Sequence, residues 1–298
     1  MWVGLKADPH LTHMVVTFPH PSRPNMATDI GTTFETPITD REFHAVQRFL
    51  FDASGIALTE AKKLLVSSRL GKRLRAREVA DYSAYLKLIA ADEQERQAAL
   101  DLLTTNETYF FREPQHFDFL RTEVLPRYRH GRPFRVWSAA CSSGEEAYSI
   151  AMLLDHALTT APWEVVGTDI STRMLDRCRT GRYPMERAQG IPKEYLRRYC
   201  LMGTGPEQGF LLVDRPLRQH LSFLHANLNG RLPEVGEFDV IFLRNVMIYF
   251  EADTKRSLVE RILLHLRPGG WLFIGHSESL HGIDSSLKPV HPAIYRKP

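Results

Sequence analysis

The pattern of apolar and polar positions changes character near residue 133. Before it, apolar residues recur at helical spacing, beginning with Phe43, Val46 and Leu50. Thr39 and Glu42 form a capping-box pair that predicts the start of this helix, and Gly55 predicts its end. Further helices are predicted over 61–79, 82–90 and 93–104, followed by a linker that is partly helical over 116–123. The first part of the chain therefore predicts a small all-α domain.

After residue 133, short apolar runs alternate with helical segments. Strands are predicted over 134–139, 164–169, 221–225, 238–243 and 271–275, and helices over 145–156, 171–179 and 253–266. Pro268, Gly269 and Gly270 predict a turn before the last strand. Nearly continuous apolar strands between helices predict an α/β domain with a doubly wound, mainly parallel sheet that is covered on both faces.

An insertion over 189–220 interrupts this alternation. Two apolar runs, 195–199 and 210–213, flank a loop rich in Gly and Pro. This arrangement predicts a small antiparallel β-subdomain built on a hairpin, and the alternative is a solvent-exposed connector.

The domain division follows from these patterns. We predict a disordered leader over 1–36, a helical domain over 37–105, a linker over 106–132 that contributes to a ligand site, and the α/β domain over 133–298. Met26 is a second candidate start of translation, and the sequence leaves this choice open.

Composition adds limits on the class of protein. The chain has 298 residues, 43% of them hydrophobic, and a net charge of +3, which is too mildly basic for a dedicated nucleic-acid-binding protein. Three cysteines in no metal-ligand spacing indicate a reducing compartment, and the histidines form no convincing pair of ligands, so we predict no metal. Without a secretory signal or a long apolar run, we expect a cytoplasmic protein that does not insert into a membrane.

The ends of three predicted strands carry candidate ligand-binding residues. Small residues over 139–144 lead into a helix that begins with Glu145 and Glu146, and these acids disfavour phosphate but suit a positively charged ligand such as S-adenosylmethionine. Asp169 follows the second strand at a distance suited to ribose hydroxyls. Arg244 and Asn245 follow the fourth. The small-residue turn and Asp169 alone would fit a nicotinamide cofactor equally well. Glu145 and Glu146 after the turn, and the absence of the second and third glycines of a dinucleotide-binding motif, favour S-adenosylmethionine.

The segment 62–77 contains seven basic residues and no acid. One helical stripe carries four of them: Lys62, Arg69, Arg73 and Arg77. This stripe is either a surface that docks an acidic partner or simply a solvent-exposed helix face. Nucleic acid is a poor candidate partner, because the segment lacks the interleaved aromatic residues on which bases would stack.

Five stretches of the chain resemble the bacterial chemotaxis receptor methyltransferases, the CheR family. They are TTNETYFFR over 104–112, WSAACSSGEE over 137–146, GTDIS over 167–171, FDVIFLRNVMIYF over 238–250 and GHSES over 275–279. The likeness runs from about residue 39 to the last residue, and Ala147 departs from it where the family commonly has Pro.

The resemblance implies a helical domain followed by an S-adenosylmethionine-binding α/β domain with a β-subdomain. It assigns Glu145 to the methionine part of the donor and Asp169 to the ribose. The remaining cofactor residues it implies are Asn106, Thr108, Arg112, Asn227, Leu228, Leu243 and Arg244. We assign Arg112 and Tyr249 to alignment of the reacting groups; a linker salt bridge and a core aromatic are the respective alternatives.

The resemblance also implies the reaction and its partners. Methyl transfer to glutamate carboxylates of the cytoplasmic domain of transmembrane chemoreceptors would give methyl esters and S-adenosylhomocysteine. The basic stripe would dock a receptor helix rich in Glu, and a receptor C-terminal peptide would dock at Gly203, Thr204 and Gly205. We expect a monomer recruited to cytoplasmic receptor arrays. A non-catalytic sensor of the donor and a methyltransferase for RNA or a small molecule are the rival functions.

Overall fold

The computed structural model describes residues 1–4, 37–128, 131–283 and 286–298. Its first domain contains four helices: α1 (Asp40–Ser54), α2 (Lys63–Ala76), α3 (Tyr82–Ala91) and α4 (Glu93–Leu103). A short 3-10 turn, Glu60–Lys62, leads into α2. Apolar faces of all four helices meet in one core that includes Phe43, Leu50, Leu70, Tyr85 and Leu103. The predicted all-α domain is confirmed, with helix ends shifted by a few residues.

The ends of α1 follow the predicted chemistry. The amide of Glu42 donates to Thr39 Oγ1 at 3.3 Å, and the amide of Thr39 donates to Glu42 Oε2 at 3.0 Å. Both halves of the capping box are therefore present. Gly55 ends the helix with φ of 74°, a left-handed conformation that glycine adopts without steric cost.

The linker packs its helices against the α/β domain. It contains α5 (Pro114–Phe119), a π-helical turn (Leu120–Val124) and a 3-10 turn (Leu125–Arg127). The Phe119 ring lies 5.4 Å from Trp271 and 6.1 Å from Phe273, between ring centroids. The predicted helical stretch is confirmed, but it begins at Pro114.

The second domain is built on a seven-stranded mixed sheet. Its strands in chain order are β2 (Phe134–Ser138), β3 (Trp163–Asp169), β7 (Leu221–His225), β8 (Phe238–Leu243), β9 (Leu266–Ile274), β10 (Lys288–His291) and β11 (Ile294–Arg296). They lie in the order β10-β11-β9-β8-β2-β3-β7, and the five strands from β9 to β7 run parallel. Helices α6 (Glu145–Ala157), α7 (Thr172–Thr180), α9 (Arg215–Arg218) and α10 (Ala252–Leu263) accompany them. The predicted α/β fold is confirmed.

Two details of this sheet differ from the predictions. Pro268, Gly269 and Gly270 do not form a turn before the last strand, because they lie inside β9. A register shift between Phe238 and Val240 in the β8–β9 pairing accommodates them. The hairpin of β10 and β11 was not predicted, since β10 is exposed along its length and lacks the apolar alternation of a half-buried strand.

The insertion contributes two strands to a four-stranded antiparallel β-subdomain in the order β1-β5-β6-β4. The strands of this subdomain are β1 (Trp2–Gly4), β4 (Arg182–Pro184), β5 (Cys200–Gly203) and β6 (Phe210–Val213). The hairpin prediction is therefore correct and the exposed connector is wrong. The apolar run over 195–199 is not a strand, however, because it belongs to helix α8 (Lys193–Tyr199), and the subdomain begins at Arg182, before residue 189.

The leader prediction is also corrected in one place. Trp2–Gly4 form a strand of the subdomain, so this part of the predicted disordered leader has a defined structure. The rest of that prediction, residues 5–36, lies outside the described residues. No helix in the described part of the chain is long and apolar enough to cross a membrane.

Polar contacts fix the helical domain above the carboxyl edge of the sheet. Asp101 of α4 lies at the beginning of α7, where it accepts hydrogen bonds from the amides of Thr172 and Arg173 at 3.0 and 3.2 Å. An acid at a helix N-terminus is favoured by the unpaired amides there. Asn227 Nδ2 donates to the carbonyl of Ala53 at 2.6 Å from the other side of the interface. These bonds place the helical domain over the strand ends.

Candidate cofactor and active site

A cavity of about 250 Å³ lies between the two domains at the carboxyl edge of the parallel strands. The helical domain contributes the loop from Ile56 to Thr59 and the stretch from Leu103 to Thr105, the linker contributes Asn106 to Thr108, and strand ends form the floor. Eight of the ten predicted cofactor and positioning residues line it: Asn106, Thr108, Arg112, Asp169, Asn227, Leu228, Arg244 and Tyr249. Segments far apart in the sequence therefore meet at this single place.

Glu145 and Leu243 are not on the cavity wall. Both are completely buried. Leu243 points into the core on one face of the sheet, as alternation along β8 requires. Glu145 accepts a hydrogen bond from Ser143 Oγ at 2.6 Å and pairs with Arg187. Of the two adjacent acids, Glu146 is the one that lines the cavity.

Arg244 is the central side chain of the site. It follows β8 directly, and only 1% of its side chain is exposed. Its Nη1 lies 2.9 Å from Glu146 Oε2, and its Nη2 lies 3.1 Å from Glu113 Oε2. Nη2 also donates to the carbonyl of Arg112. The guanidinium therefore joins a strand end, the first turn of α6 and the linker.

Four residues around the cavity have a left-handed backbone without being glycine: Phe111, Glu113, Ser142 and Asn245, with φ of 54°, 57°, 48° and 56°. This conformation is costly for residues with a Cβ, and it persists where the surroundings hold it. At Asn245 the holding group is Glu278, whose Oε2 accepts from the amides of Asn245 and Gly275 at 2.9 and 2.6 Å. Glu278 belongs to the GHSES motif over 275–279, for which the sequence predicted no specific role.

Asp169 provides the acceptor expected for ribose hydroxyls. The amides of Ser142 and Ser171 donate to its two oxygens at 2.8 and 2.9 Å, which fixes the carboxylate at the end of β3. Burial raises the pKa of Asp169 to about 6. Within the described ranges, no lysine or arginine forms an ion pair with it.

The negative charge that faces the cavity differs from the one predicted from the sequence. Glu145 and Glu146 were both expected to face a positively charged ligand, but each is paired with an arginine, Arg187 and Arg244 respectively. Their charge is therefore largely compensated inside the protein. Asp169 and Glu107 are the acids that line the cavity without such a partner among the described residues.

Arg187 is a site residue that the sequence analysis missed. It comes from the 3-10 segment Met185–Gly190 of the β-subdomain, and its Nη1 reaches both Glu145 and the carbonyl of Thr108, the latter at 3.2 Å. The loop after α1 was missed as well, although the amide of Ala57 donates to the carbonyl of Tyr249 at 3.0 Å. No periodicity or motif in either segment signals these contacts.

One cluster has the composition of a metal site. Glu113, His116 and His276 bring their ligand atoms within 4.8 Å of one another. However, Arg244 already pairs with the carboxylate of Glu113, and a fixed guanidinium opposes a second cation there. Burial and the nearby Arg244 lower the pKa of His116 to about 3, so the ring is neutral at physiological pH. We therefore interpret Glu113, His116 and His276 as side chains that pack around Arg244 and not as metal ligands.

The basic stripe on α2 is mostly bound within the helical domain. Arg73 makes two bonds to Glu95, the one from Nε being 2.8 Å, and Arg77 reaches Asp92 at 3.0 Å. Arg69 donates to backbone carbonyls at the end of α4, the shortest bond being 2.9 Å. These three guanidiniums are therefore not free ligands for a partner. Lys62, the fourth member, lies at the cavity.

Cys141 follows β2 close to the site but is buried. Its Sγ lies 4.0 Å from that of Cys178. The neighbouring thiol and burial raise the pKa of Cys141, which opposes thiolate formation. Cys141 is therefore one of the small residues of the predicted turn over 139–144, and it is not placed to act as a nucleophile.

Comparison with known proteins identifies the family. The model of the CheR methyltransferase all-alpha domain matches residues 41–104, and that of the CheR methyltransferase SAM binding domain matches residues 106–295. The chain belongs to the CheR methyltransferase family. It is a methyltransferase, and S-adenosylmethionine is its methyl donor.

Curated relatives of this family cover nearly the whole chain. The chemotaxis protein methyltransferase 2 of Pseudomonas aeruginosa is 40% identical over 260 residues, which are 86% of this chain and 93% of the relative. The chemotaxis protein methyltransferase of Escherichia coli is also 40% identical, over 83% of this chain and 87% of the relative. Among solved structures, the glycopeptide N-methyltransferase MtfA with S-adenosylmethionine has a TM-score of 0.34 and 15% identity over 57% of this chain and 51% of its own. That similarity is too low to carry an argument.

The cavity of this CheR family member has groups that suit the donor. Asp169 offers acceptor oxygens for ribose hydroxyls, and apolar residues such as Leu228 and Ile170 line the wall beside Asn227. Asn106 and Thr108 of the linker face the same space. The chemistry of this lining fits an adenosyl ligand.

We predict that replacing Arg244 destabilises both the fold and the site. Arg244→Met leaves Glu113 and Glu146 without their partner in a buried setting, so the free energy of unfolding should fall by roughly 3–5 kcal/mol. Urea denaturation measures this change. Arg244→Lys is the control, because it keeps the charge but loses the planar fork, and its loss should be smaller. An ordinary surface substitution changes the free energy of unfolding by about 0.5 kcal/mol or less. If both Arg244 variants stayed within that range of the parent protein, this role would be contradicted.

Asp169 predicts a pH dependence of ligand binding. Its carboxyl becomes protonated as the pH falls through about 6, and it then loses acceptor capacity for the ribose hydroxyls. The affinity for S-adenosylhomocysteine, measured by calorimetry, should therefore be roughly tenfold weaker at pH 5 than at pH 7. Asp169→Asn is the matched control and should bind weakly without this titration. An affinity that stays constant from pH 7 to pH 5 would contradict the assignment.

Proposed function

We propose that this methyltransferase transfers the methyl group of S-adenosylmethionine to glutamate side chains of methyl-accepting chemotaxis receptors. The products are glutamate methyl esters and S-adenosylhomocysteine. The supporting observation is the 40% identity with chemotaxis protein methyltransferases across both domains. The cavity adds support, because residues of both domains line it.

The chemistry requires no general base. A glutamate carboxylate with a pKa of roughly 4.3 is already an anion at neutral pH and attacks the methyl carbon directly. The carbon–oxygen bond forms as the carbon–sulfur bond breaks, and the electron pair of the breaking bond remains on sulfur. An anion and a sulfonium cation thus become an ester and a neutral thioether.

Because charge disappears in this step, groups that bind the carboxylate tightly stabilise the ground state more than the transition state. The protein contributes instead by aligning oxygen, methyl and sulfur and by excluding water. Alignment of this kind supplies on the order of 7–11 kcal/mol in favourable cases. Pairing of Glu145 and Glu146 with arginines is consistent with this requirement, since neither acid is poised as a base.

Arg112 and Tyr249 are the proposed positioning residues. Arg112 Nη1 donates to the carbonyl of Glu107 at 2.9 Å, which folds the linker loop over the cavity. No carboxylate of the described residues forms an ion pair with Arg112, so the alternative of a linker salt bridge has no support there. Tyr249 is partly exposed at the cavity wall, which disfavours the alternative of a core aromatic.

The substrate surfaces are part of the same proposal. Lys62 at the cavity rim is the member of the basic stripe best placed to meet a receptor helix rich in Glu, and Arg69, which bonds to backbone carbonyls and to no acid among the described residues, adds positive charge on the same stripe. A C-terminal peptide of the receptor would dock beside Gly203, Thr204 and Gly205 by adding a strand to β5. The enzyme would act as a monomer in the cytoplasm, recruited to receptor arrays.

The test is methyl transfer from tritium-labelled S-adenosylmethionine to purified receptor membranes. The account predicts receptor-bound label that alkali releases as methanol, because alkali cleaves a carboxyl ester. Arg112→Ala should lower kcat/KM by about tenfold or more, and Arg112→Lys by less. Label that survives alkali, or no transfer at all, would contradict the proposed function. An Arg112→Ala enzyme with unchanged turnover and donor affinity would contradict only the role of Arg112.

A further inference from the structure

The outer edge of the β-subdomain is already occupied by a segment of the same chain. Strand β1 pairs antiparallel with β5, with Trp2 opposite Gly203, Val3 opposite Met202 and Gly4 opposite Leu201. The amide and the hydroxyl of Thr204 both donate to the carbonyl of Met1, at 2.8 and 2.9 Å. The edge that would receive an external peptide therefore carries an internal strand.

The edge of β5 keeps its shape through contacts other than those with β1. Its opposite side pairs with β6. A Cβ at Gly203 would lie 1.9 Å from the carbonyl oxygen of Glu207, so the 3-10 turn Gly205–Glu207 packs closely against the strand. Glu207 in turn pairs with Arg182 of β4 at 2.8 Å. The strand edge is thus held by its own subdomain and presents backbone groups ready for pairing.

The backbone carries most of the contact between β1 and β5. Val3 is 44% exposed and Met1 is 83% exposed, so neither side chain contributes much burial. Trp2 is the half-buried side chain of the strand, and it lies opposite a glycine. An aromatic residue across from a glycine covers backbone that would otherwise be exposed. A different extended peptide with an aromatic residue at this position would make equivalent contacts.

We propose that residues 1–4 are an internal ligand of the β5 edge, which an external peptide must displace before it can dock. The external partner that fits is a short extended peptide with an aromatic residue opposite Gly203. Identifying that peptide as the receptor's C-terminal tail rests on the proposed function. The proposal that β1 is an internal ligand does not rest on it. When β1 occupies the edge, the apparent affinity for an external peptide equals the affinity of the free edge multiplied by the fraction of molecules whose edge is free.

A single substitution tests this competition. Met1 and Thr204 form a hydrogen-bonded pair, so alternation along an antiparallel ladder makes Val3 and Met202 the next such pair. Val3→Pro removes the amide that Val3 contributes and should release β1 from the edge. Val3→Ala is the matched control, because it keeps the amide and changes only an exposed side chain. Deletion of residues 1–4 is a second way to free the edge.

The probe is a fluorescein-labelled synthetic peptide with the sequence of residues 1–6, Met-Trp-Val-Gly-Leu-Lys. Fluorescence anisotropy should show at least about tenfold tighter binding to Val3→Pro and to the deletion variant than to the parent protein or Val3→Ala. Equal affinity for all four proteins would overturn the proposal, and so would no binding to the two freed proteins.

A second assay separates this inference from the proposed function. Methyl transfer by the parent protein to a receptor fragment without its C-terminal tail does not use the β5 edge. Absence of transfer both to this fragment and to intact receptor membranes counts against the proposed function and leaves the anisotropy result intact. Normal transfer together with equal probe affinities counts against the internal ligand alone.

Discussion

The buried guanidinium of Arg244 is the interaction on which the site depends. It belongs to the residue that follows strand β8, and it bonds to the first turn of α6 and to the linker. A planar fork with several fixed donors can satisfy two carboxylates and a carbonyl together, which a lysine cannot do. Because those carboxylates offset the cost of burying the charge, the linker stays closed over the strand ends. The cavity exists because this linker and the sheet are held together.

A second set of contacts fixes the helical domain on the same edge. Asp101 bonds to the beginning of α7, and the loop after α1 bonds to the carbonyl of Tyr249. The cavity therefore has walls from three parts of the chain. On the proposed function, such walls would help to exclude water from a reaction that consumes charge. That reaction would need enclosure and alignment more than reactive side chains.

Much of this fold could be predicted from local signals. The capping box at Thr39, the glycine at the end of α1 and the apolar strand runs each act over a few residues. Details that depend on contacts between residues far apart in the sequence could not be predicted in this way. Glu145 and Glu146 are adjacent in the sequence, but one helix step of about 100° directs one to Arg187 and the other to the cavity. The run over 195–199 has the composition of a strand, yet it is helical in its tertiary setting. Strand β1 pairs with residues about two hundred positions away, which no local pattern can reveal.

The most direct test of the account is hydrogen–deuterium exchange with and without S-adenosylhomocysteine. If donor and product bind in a cavity built by both domains, amides in three regions should be protected together. These regions are the loop over 54–59, the stretch over 103–112 that joins α4 to the linker, and the strand ends around Ser142, Asn227 and Asn245. Protection at the strand ends alone, with the helical-domain loop and the linker unchanged, would contradict the central claim.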